Sequence, residues 1–497
     1  MKKLRAWFER FLFSPIHPLL FSVYFVFRLF VFNVHDIPLL YLFRPLLVSV
    51  LATLLFFLLF YFLVRNRHRA ALMTSVLLLM FYSYSLGWDS LPIGRNYTNA
   101  LVFALCWGIV TILILFGIGR KKNRSLNPDL IVGLNLMAVV LLLFPAMKYL
   151  RFLISESLPF QPDIRHSVDS SIPASSPDVY YIILDAYARA DYLEDELGYD
   201  NSEFLQSLRE LGFYVADCSQ SNYASTALSL SSTLNLDYVQ TLTDEFRPEN
   251  QELLNLFKLL HDNVVREAFS DMGYQTVSFA SGFLWAEWRD ADVYIAPHYG
   301  PVTEFETVLL HSTYANVLDH LNIINYDNFY AETYRVRTQL VLDSMDDLAK
   351  MPGPKFVFIH LIIPHSPFGF DENGNPVAPD RWDRDQGYLS QVKYINKAIL
   401  PGLKTLIENS DVPPIIILQG DHGDYTPEKP ANQVKILNAY YLPVGTEVLY
   451  PTISPVNSFR VVFNLYFGTD FPLLQDVSYY SDLNRKFDFS VVDQSCP

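Results

Sequence analysis

The chain has 497 residues, 51% of them hydrophobic and only 18% charged, with 37 Lys and Arg against 52 Asp and Glu for a net charge of -15. That apolar balance excludes an intrinsically disordered protein, and the acidic excess excludes binding of nucleic acid through bulk charge. The charge is divided: residues 1–154 hold 16 basic and 4 acidic side chains, whereas residues 155–497 hold 21 and 48. Two bodies suited to different solvents share the chain.

A bilayer-spanning helix needs about 20 apolar residues. Four stretches meet that need without a charge: Pro45 to Val64, Ala70 to Trp88, Tyr97 to Gly119 and Leu130 to Met147. A fifth, Pro18 to Val34, precedes them and contains Arg28, which has to face a neighbouring helix or reach toward the interface. It lacks a small-residue cleavage site and is followed by further spans, so it reads as a retained anchor rather than a signal peptide. Basic residues cluster before the first span (Lys2, Lys3, Arg5, Arg10), between the second and third (Arg65, Arg67, Arg69) and between the fourth and fifth (Arg120, Lys121, Lys122, Arg124). The intervening loops offer only Arg44 and Arg95, so the clusters are expected in the cytoplasm and five spans deliver the C-terminal half outside. Lys148 and Arg151, just past the fifth span, run against this orientation. The expected plan is a cytoplasmic N-terminus over 1–10, a five-helix transmembrane bundle over 11–154, a linker over 155–177 rich in Ser and Pro, and an extracytoplasmic domain over 178–497. Cys106 falls within a span; Cys218 and Cys496 lie in the outer domain, and two cysteines so far apart leave their pairing open.

In the outer domain, buried strands are predicted at Val179 to Leu184, Thr276 to Ala280, Phe356 to Leu361 and Pro414 to Leu418. Helical patterns fall at Asn201 to Leu211, Leu254 to Met272, Asn328 to Lys350 and Leu389 to Glu408. Continuous apolar strands interleaved with helices predict an α/β domain with a mostly parallel sheet covered on both faces. In such sheets the site lies at the carboxyl ends of the strands. One strand ends in Asp185; another runs into Gly420-Asp421-His422-Gly423; a third contains His360 and leads to His365.

Asp185, Asp421 and His422 offer mixed oxygen and nitrogen ligands suited to a divalent cation such as zinc or manganese. Thr226 stands in a small polar run, Ser221 to Ser229, that leads into a helical pattern. A hydroxyl at a helix start touching a metal becomes a nucleophile, although Ser225 or Thr226 could equally be an ordinary helix cap. His365, between Pro364 and Pro367, is placed to bind a phosphate or donate a proton to a leaving group. His360, inside the strand, reads as a core histidine, and His166, His261, His298, His311 and His320 read as structural.

Five amino-terminal spans, a linker, and an outer domain carrying Asp185, Thr226-Ala227-Leu228-Ser229, His360 to His365 and Gly420-Asp421-His422-Gly423 resemble the membrane-anchored sulfatase-like branch of the alkaline phosphatase superfamily. Lipoteichoic acid synthases and lipid A phosphoethanolamine transferases are its best-known members. The resemblance implies that Asp185, Asp421 and His422 hold the metal, and that Thr226, also counted among its ligands, takes up the phosphoryl group. It implies that His365 binds a second metal or the substrate. The implied reaction moves a phospho-alcohol group from a membrane phospholipid to a cell-surface glycan or lipid through a covalent phospho-threonine, at a bacterial cytoplasmic membrane. The chain departs from the phosphoethanolamine transferases in having no histidine after His422 and only two outer cysteines. The same fold also serves phosphodiesterases and sulfatases, and without its chemistry a scaffold; no Cys/Ser-x-Pro-x-Arg run marks a formylglycine-type sulfatase.

Overall fold

Val179–Leu184 is an unbroken apolar run, and it forms β1 with every residue buried. In the computed structural model, which describes residues 13–92, 94, 96–120, 127–168, 176–297, 302–321, 323–378, 383–426, 428–482, 484–494 and 496, β1 is the centre of a seven-stranded sheet. The other strands are β2 (Tyr214–Val215), β3 (Gln275–Phe279), β4 (Val293–Ile295), β5 (Lys355–Leu361), β6 (Ile415–Gln419) and β7 (Asn438–Tyr441). Their order is β2-β7-β6-β1-β5-β3-β4. β6, β1, β5, β3 and β4 run parallel, and β7 pairs antiparallel with β6 and β2. All four predicted strands are present; β2, β4 and β7 are short or mixed in composition and escape a pattern search.

The pleat of β1 divides the core in two. Tyr180, Ile182 and Leu184 pack with Val341, Met345, Val392, Ile395 and Leu403 from the helices Tyr326–Lys350 and Arg384–Asn409. Val179, Tyr181 and Ile183 pack on the other face with Leu230, Leu234, Phe269, Phe459 and Phe463. Both faces of the sheet are therefore covered. The predicted helix over Leu254 to Met272 is instead two, Leu254–His261 and Val264–Asp271, because the Asn263 side chain caps the second by accepting from the Arg266 N–H. A hairpin of β8 (Ser478–Asp482) and β9 (Arg485–Val492) closes the chain, with Phe487 buried against Leu242 and Phe246. Cys218 and Cys496 form a disulfide.

Contacts divide the chain into two units, Met1–Leu158 with Tyr299–Tyr330, and Pro159–His298 with Ala331–Pro497. The segment 299–330, which the sequence leaves inside the outer domain, thus belongs with the N-terminal helices. Part of the expected linker is also held in place, in the second unit: the Ile164 N–H donates to the Leu242 carbonyl at 2.9 Å and His166 pairs with Asp237 at 2.8 Å.

Among the described residues of the first unit, three helices are long and apolar enough to cross a membrane: Leu40–Val64, Tyr97–Arg120 and Pro128–Ser157. The expected first and third spans form the helices His17–Phe32 and Arg67–Tyr82, each 16 residues. At 1.5 Å per residue each is about 24 Å long, short of an apolar core of about 30 Å. The third is cut at Ser83 and resumes as Tyr84–Asp89. Arg28 lies exposed with its guanidinium 4.9 Å from the centre of the Phe32 ring. The expected cytoplasmic N-terminus, Arg95, the cluster Lys121, Lys122 and Arg124, and His298 lie outside the described residues.

Candidate functional site

Three neighbouring strands place the site. Asp185 follows β1 directly and is fully buried; its N–H donates to the Leu361 carbonyl at the end of β5. The chain turns sharply there, with Ala186 at φ +62°, a left-handed conformation that costs a residue with a Cβ roughly 1 kcal/mol or more. The turn is held from both sides: the Ala186 N–H donates to Asp421 Oδ1 at 3.0 Å, and the Tyr388 hydroxyl donates to the Ala186 carbonyl at 2.8 Å. Asp421 and His422 lie just past β6, in a backbone packed too closely for side chains. A Cβ on Gly420 would stand 2.4 Å from the Tyr187 carbonyl oxygen, and one on Gly423 2.4 Å from that of Asn432.

One ligand atom from each of Asp185, Asp421 and His422 lies within 4.8 Å of the others. His422 Nε2 is 3.6 Å from Asp185 Oδ1 and 3.6 Å from Asp421 Oδ2. Both of those carboxylate oxygens are buried with no hydrogen-bond partner among the described residues. Two such oxygens facing one imidazole nitrogen are costly to leave uncompensated, and a divalent cation is the group that satisfies all three. His422 Nδ1 is 2.7 Å from the Gly423 carbonyl, which can only accept, so the proton sits on Nδ1 and the Nε2 lone pair faces the carboxylates. The residues present fit a divalent metal.

Thr226 is the first residue of the helix Thr226–Leu234, and Ser225, at the cap position, makes no side-chain capping bond. The Thr226 hydroxyl lies 3.4 Å from His422 Nε2. The structure therefore gathers Asp185, Asp421, His422 and Thr226 at one point. His365 is half-buried; its N–H donates to the Asp185 carbonyl at 3.1 Å, and its Nδ1 lies 2.6 Å from the Ser366 carbonyl. The flanking Ile363–Pro364 and Ser366–Pro367 bonds are cis.

Sequence reasoning missed two participants. His360, expected to be an ordinary core histidine, has Nε2 3.0 Å from Asp185 Oδ2. Its position in an apolar strand hides it, and the signal available was its place in the register, opposite Ile183 and two residues short of the Asp185 level. Asp424 is also buried, taking a hydrogen bond from the Tyr192 hydroxyl at 2.7 Å and pairing with Arg384. Burial pushes the Asp185 carboxyl up, but His365, His360 and His422 outweigh it and draw it down to about 2. Burial presses His422 down, and Asp421 and Asp185 together lift it above its ordinary value.

The sulfatase family model matches residues 177–449, more than half of the chain and all seven strands of the large sheet. No curated protein matches the chain. Among solved structures, it is similar to the C-terminal periplasmic domain of EptC from Escherichia coli in complex with zinc, at 11% identity and a TM-score of 0.44 over 68% of this chain and 97% of that one. It is similar to lipooligosaccharide phosphoethanolamine transferase A from Neisseria meningitidis, at 13% identity and 0.42 over 91% and 95%. It is also similar to the lipoteichoic acid synthase LtaP from Listeria monocytogenes, at 12% and 0.36 over 60% and 76%. With its apolar helices ahead of the matched region, the chain belongs to the sulfatase family, as a membrane-anchored sulfatase-like enzyme of the alkaline phosphatase superfamily.

Proposed function

We propose that the protein transfers a phospho-alcohol head group from a membrane phospholipid to a glycan or lipid of the cell envelope, with Thr226 as the nucleophile. The observation that carries this reading is the Thr226 hydroxyl 3.4 Å from His422 Nε2, beside two partnerless carboxylate oxygens. Asp185, Asp421 and His422 would hold a zinc or manganese ion, which supplies charge neutralisation to the phosphoryl oxygens and favours ionisation of a nearby hydroxyl. Thr226 Oγ1 attacks phosphorus as its proton is lost to solvent, and the bond from phosphorus to the diacylglycerol oxygen breaks. His365 keeps Nδ1–H on the Ser366 carbonyl, which leaves Nε2 to bring a proton to that departing oxygen. An acceptor hydroxyl then attacks the phospho-threonine, giving its proton to His365 Nε2, and the bond from phosphorus to Thr226 Oγ1 breaks as that oxygen takes a proton from solvent.

In this reading the apolar helices, three of them long enough to span, anchor the N-terminal unit in a bacterial cytoplasmic membrane. The chain leaves the membrane after the helix that ends at Ser157, and the second unit works outside. Membrane anchoring suits a lipid donor, because it raises the effective concentration of one reactant.

The test is the intact mass of the full chain, metal-loaded in detergent, after incubation with bacterial phospholipids, beside Thr226→Ala. An added mass on the wild type alone supports the covalent route and identifies the group by its weight. Many turnovers of a soluble ester with no adduct on Thr226 would assign the same site to a hydrolase instead, and no reaction from folded, metal-bound protein would leave a scaffold.

A further inference from the structure

The N-terminal unit contains a cavity of about 520 Å³ between the helices Leu40–Val64, Arg67–Tyr82 and Glu304–His311. Its walls are apolar, among them Val48, Phe56, Leu77, Phe81, Leu309 and Leu310. The polar groups within it have partners: Ser49 Oγ and the Tyr82 hydroxyl lie 2.7 Å apart, and the Thr313 hydroxyl donates to the Leu310 carbonyl at 3.0 Å. A cavity so lined does not attract water. At its rim Arg44 forms a two-pronged ion pair with Glu306, whose second role is the capping box with Thr303 that starts the third helix. Arg44 is half exposed, and Glu306 engages two of the five N–H donors a guanidinium carries.

We infer that this cavity binds one hydrocarbon chain of a membrane glycerophospholipid, with the phosphate of that lipid at Arg44. Three observations select the occupant. The volume falls within the range of about 300–1,000 Å³ typical of small-ligand sites. Leu47, Leu51 and Leu55, on the same helix as Val48 and Phe56, are exposed and apolar, and that helix is long and apolar enough to cross a membrane, so hydrocarbon is the solvent at hand. Arg44 keeps N–H donors beyond the two that Glu306 engages, and these can be given to a phosphate attached to a hydrocarbon chain. None of its lining residues belongs to the candidate metal site, and the inference stands whether the outer domain transfers or hydrolyses.

The full chain, reconstituted in phosphatidylcholine vesicles containing a phosphatidylglycerol with a diazirine in one acyl chain, is irradiated and the labelled peptides are mapped by mass spectrometry. Labelling of the three cavity helices should saturate as the probe fraction rises, whereas labelling around Leu113, exposed on Tyr97–Arg120, should rise in proportion to the probe. Ala52→Trp, which fills the cavity, should cut cavity labelling several-fold; Arg44→Gln should shift its half-saturation upward; Leu113→Trp should change neither. Cavity labelling that never saturates in the wild type overturns the proposal, even if Ala52→Trp fails to fold. So does an unchanged saturation curve in folded Ala52→Trp or in folded Arg44→Gln.

Discussion

His360 Nε2 meets Asp185 Oδ2 at 3.0 Å, while Asp185 Oδ1 is left without a partner. One oxygen of the carboxylate is anchored and the other is aimed, which is how a protein fixes the direction of a metal ligand. His360→Phe should therefore keep the fold, since the site is buried among apolar groups, yet weaken metal binding about 10–100-fold, the usual effect of losing an outer partner. Titration of the apo-protein with zinc measures it; unchanged affinity would make His360 a packing residue.

Thr226→Ala should lose the covalent adduct and lower turnover by several orders of magnitude while metal affinity stays near that of the wild type. Thr226→Ser should retain a measurable part of both, because the hydroxyl remains 3.4 Å from His422 Nε2 only if the helix start is undisturbed. Metal content and single-turnover rates of the two variants, measured together, separate a nucleophile from a cap.

Chelation should abolish activity and lower the melting temperature. Two buried carboxylates beside an imidazole gain most from the ion, so restoring it at a hundred times its Kd should return about 2.7 kcal/mol of stability. A melting curve indifferent to chelator would count against Asp185, Asp421 and His422 as ligands.

Asp191 pairs with Arg189 and Lys435 at 2.7 and 2.9 Å, tying the turn after β1 to the segment after the Gly-Asp-His-Gly run. Burial raises its carboxyl, but the two cations prevail and hold it at about 2, below its ordinary 3.8. A depressed carboxyl stabilises the fold above its unfolded value and loses that contribution as pH falls toward the folded one. Asp191→Asn should therefore be less stable at neutral pH, by on the order of 1 kcal/mol after solvent screening, and flatter in its stability between pH 4 and 2. Denaturant midpoints across that window provide the check.

Gly420→Ala should destabilise by about 1–3 kcal/mol, the range for an overpacked core, because its Cβ would stand 2.4 Å from a backbone oxygen that cannot swing away. Thermal unfolding with metal present and absent would distinguish a general loss from one confined to the site.

The sheet was legible where strands are wholly apolar: Val179 to Leu184, Phe356 to Leu361 and Pro414 to Leu418 have no competing polar face, and Asp185 and Asp421 stand where such runs stop. His360 was not legible, because a histidine inside a buried strand has the same local pattern whether it packs or orients a ligand. The association of Glu304–His311 with the N-terminal helices was hidden for a different reason. Its buried face, centred on Phe305 against Phe30, is too short to resemble a span and becomes significant only through contacts remote in sequence. The break at Asn263 was visible as a capping residue but lost in a longer apolar periodicity.

The proposed ligands follow β1 and β6 and the histidine that meets Asp185 stands in β5, three adjacent strands with parallel pairing. A slip of one residue in either pairing reverses which face a side chain occupies and carries Asp185 away from His360 or Asp421. Metal occupancy is thus a readout of correct strand alignment: a chain that is compact and rich in secondary structure but paired out of step would fail to retain the ion, so bound metal can be used to score native folding without any substrate in hand.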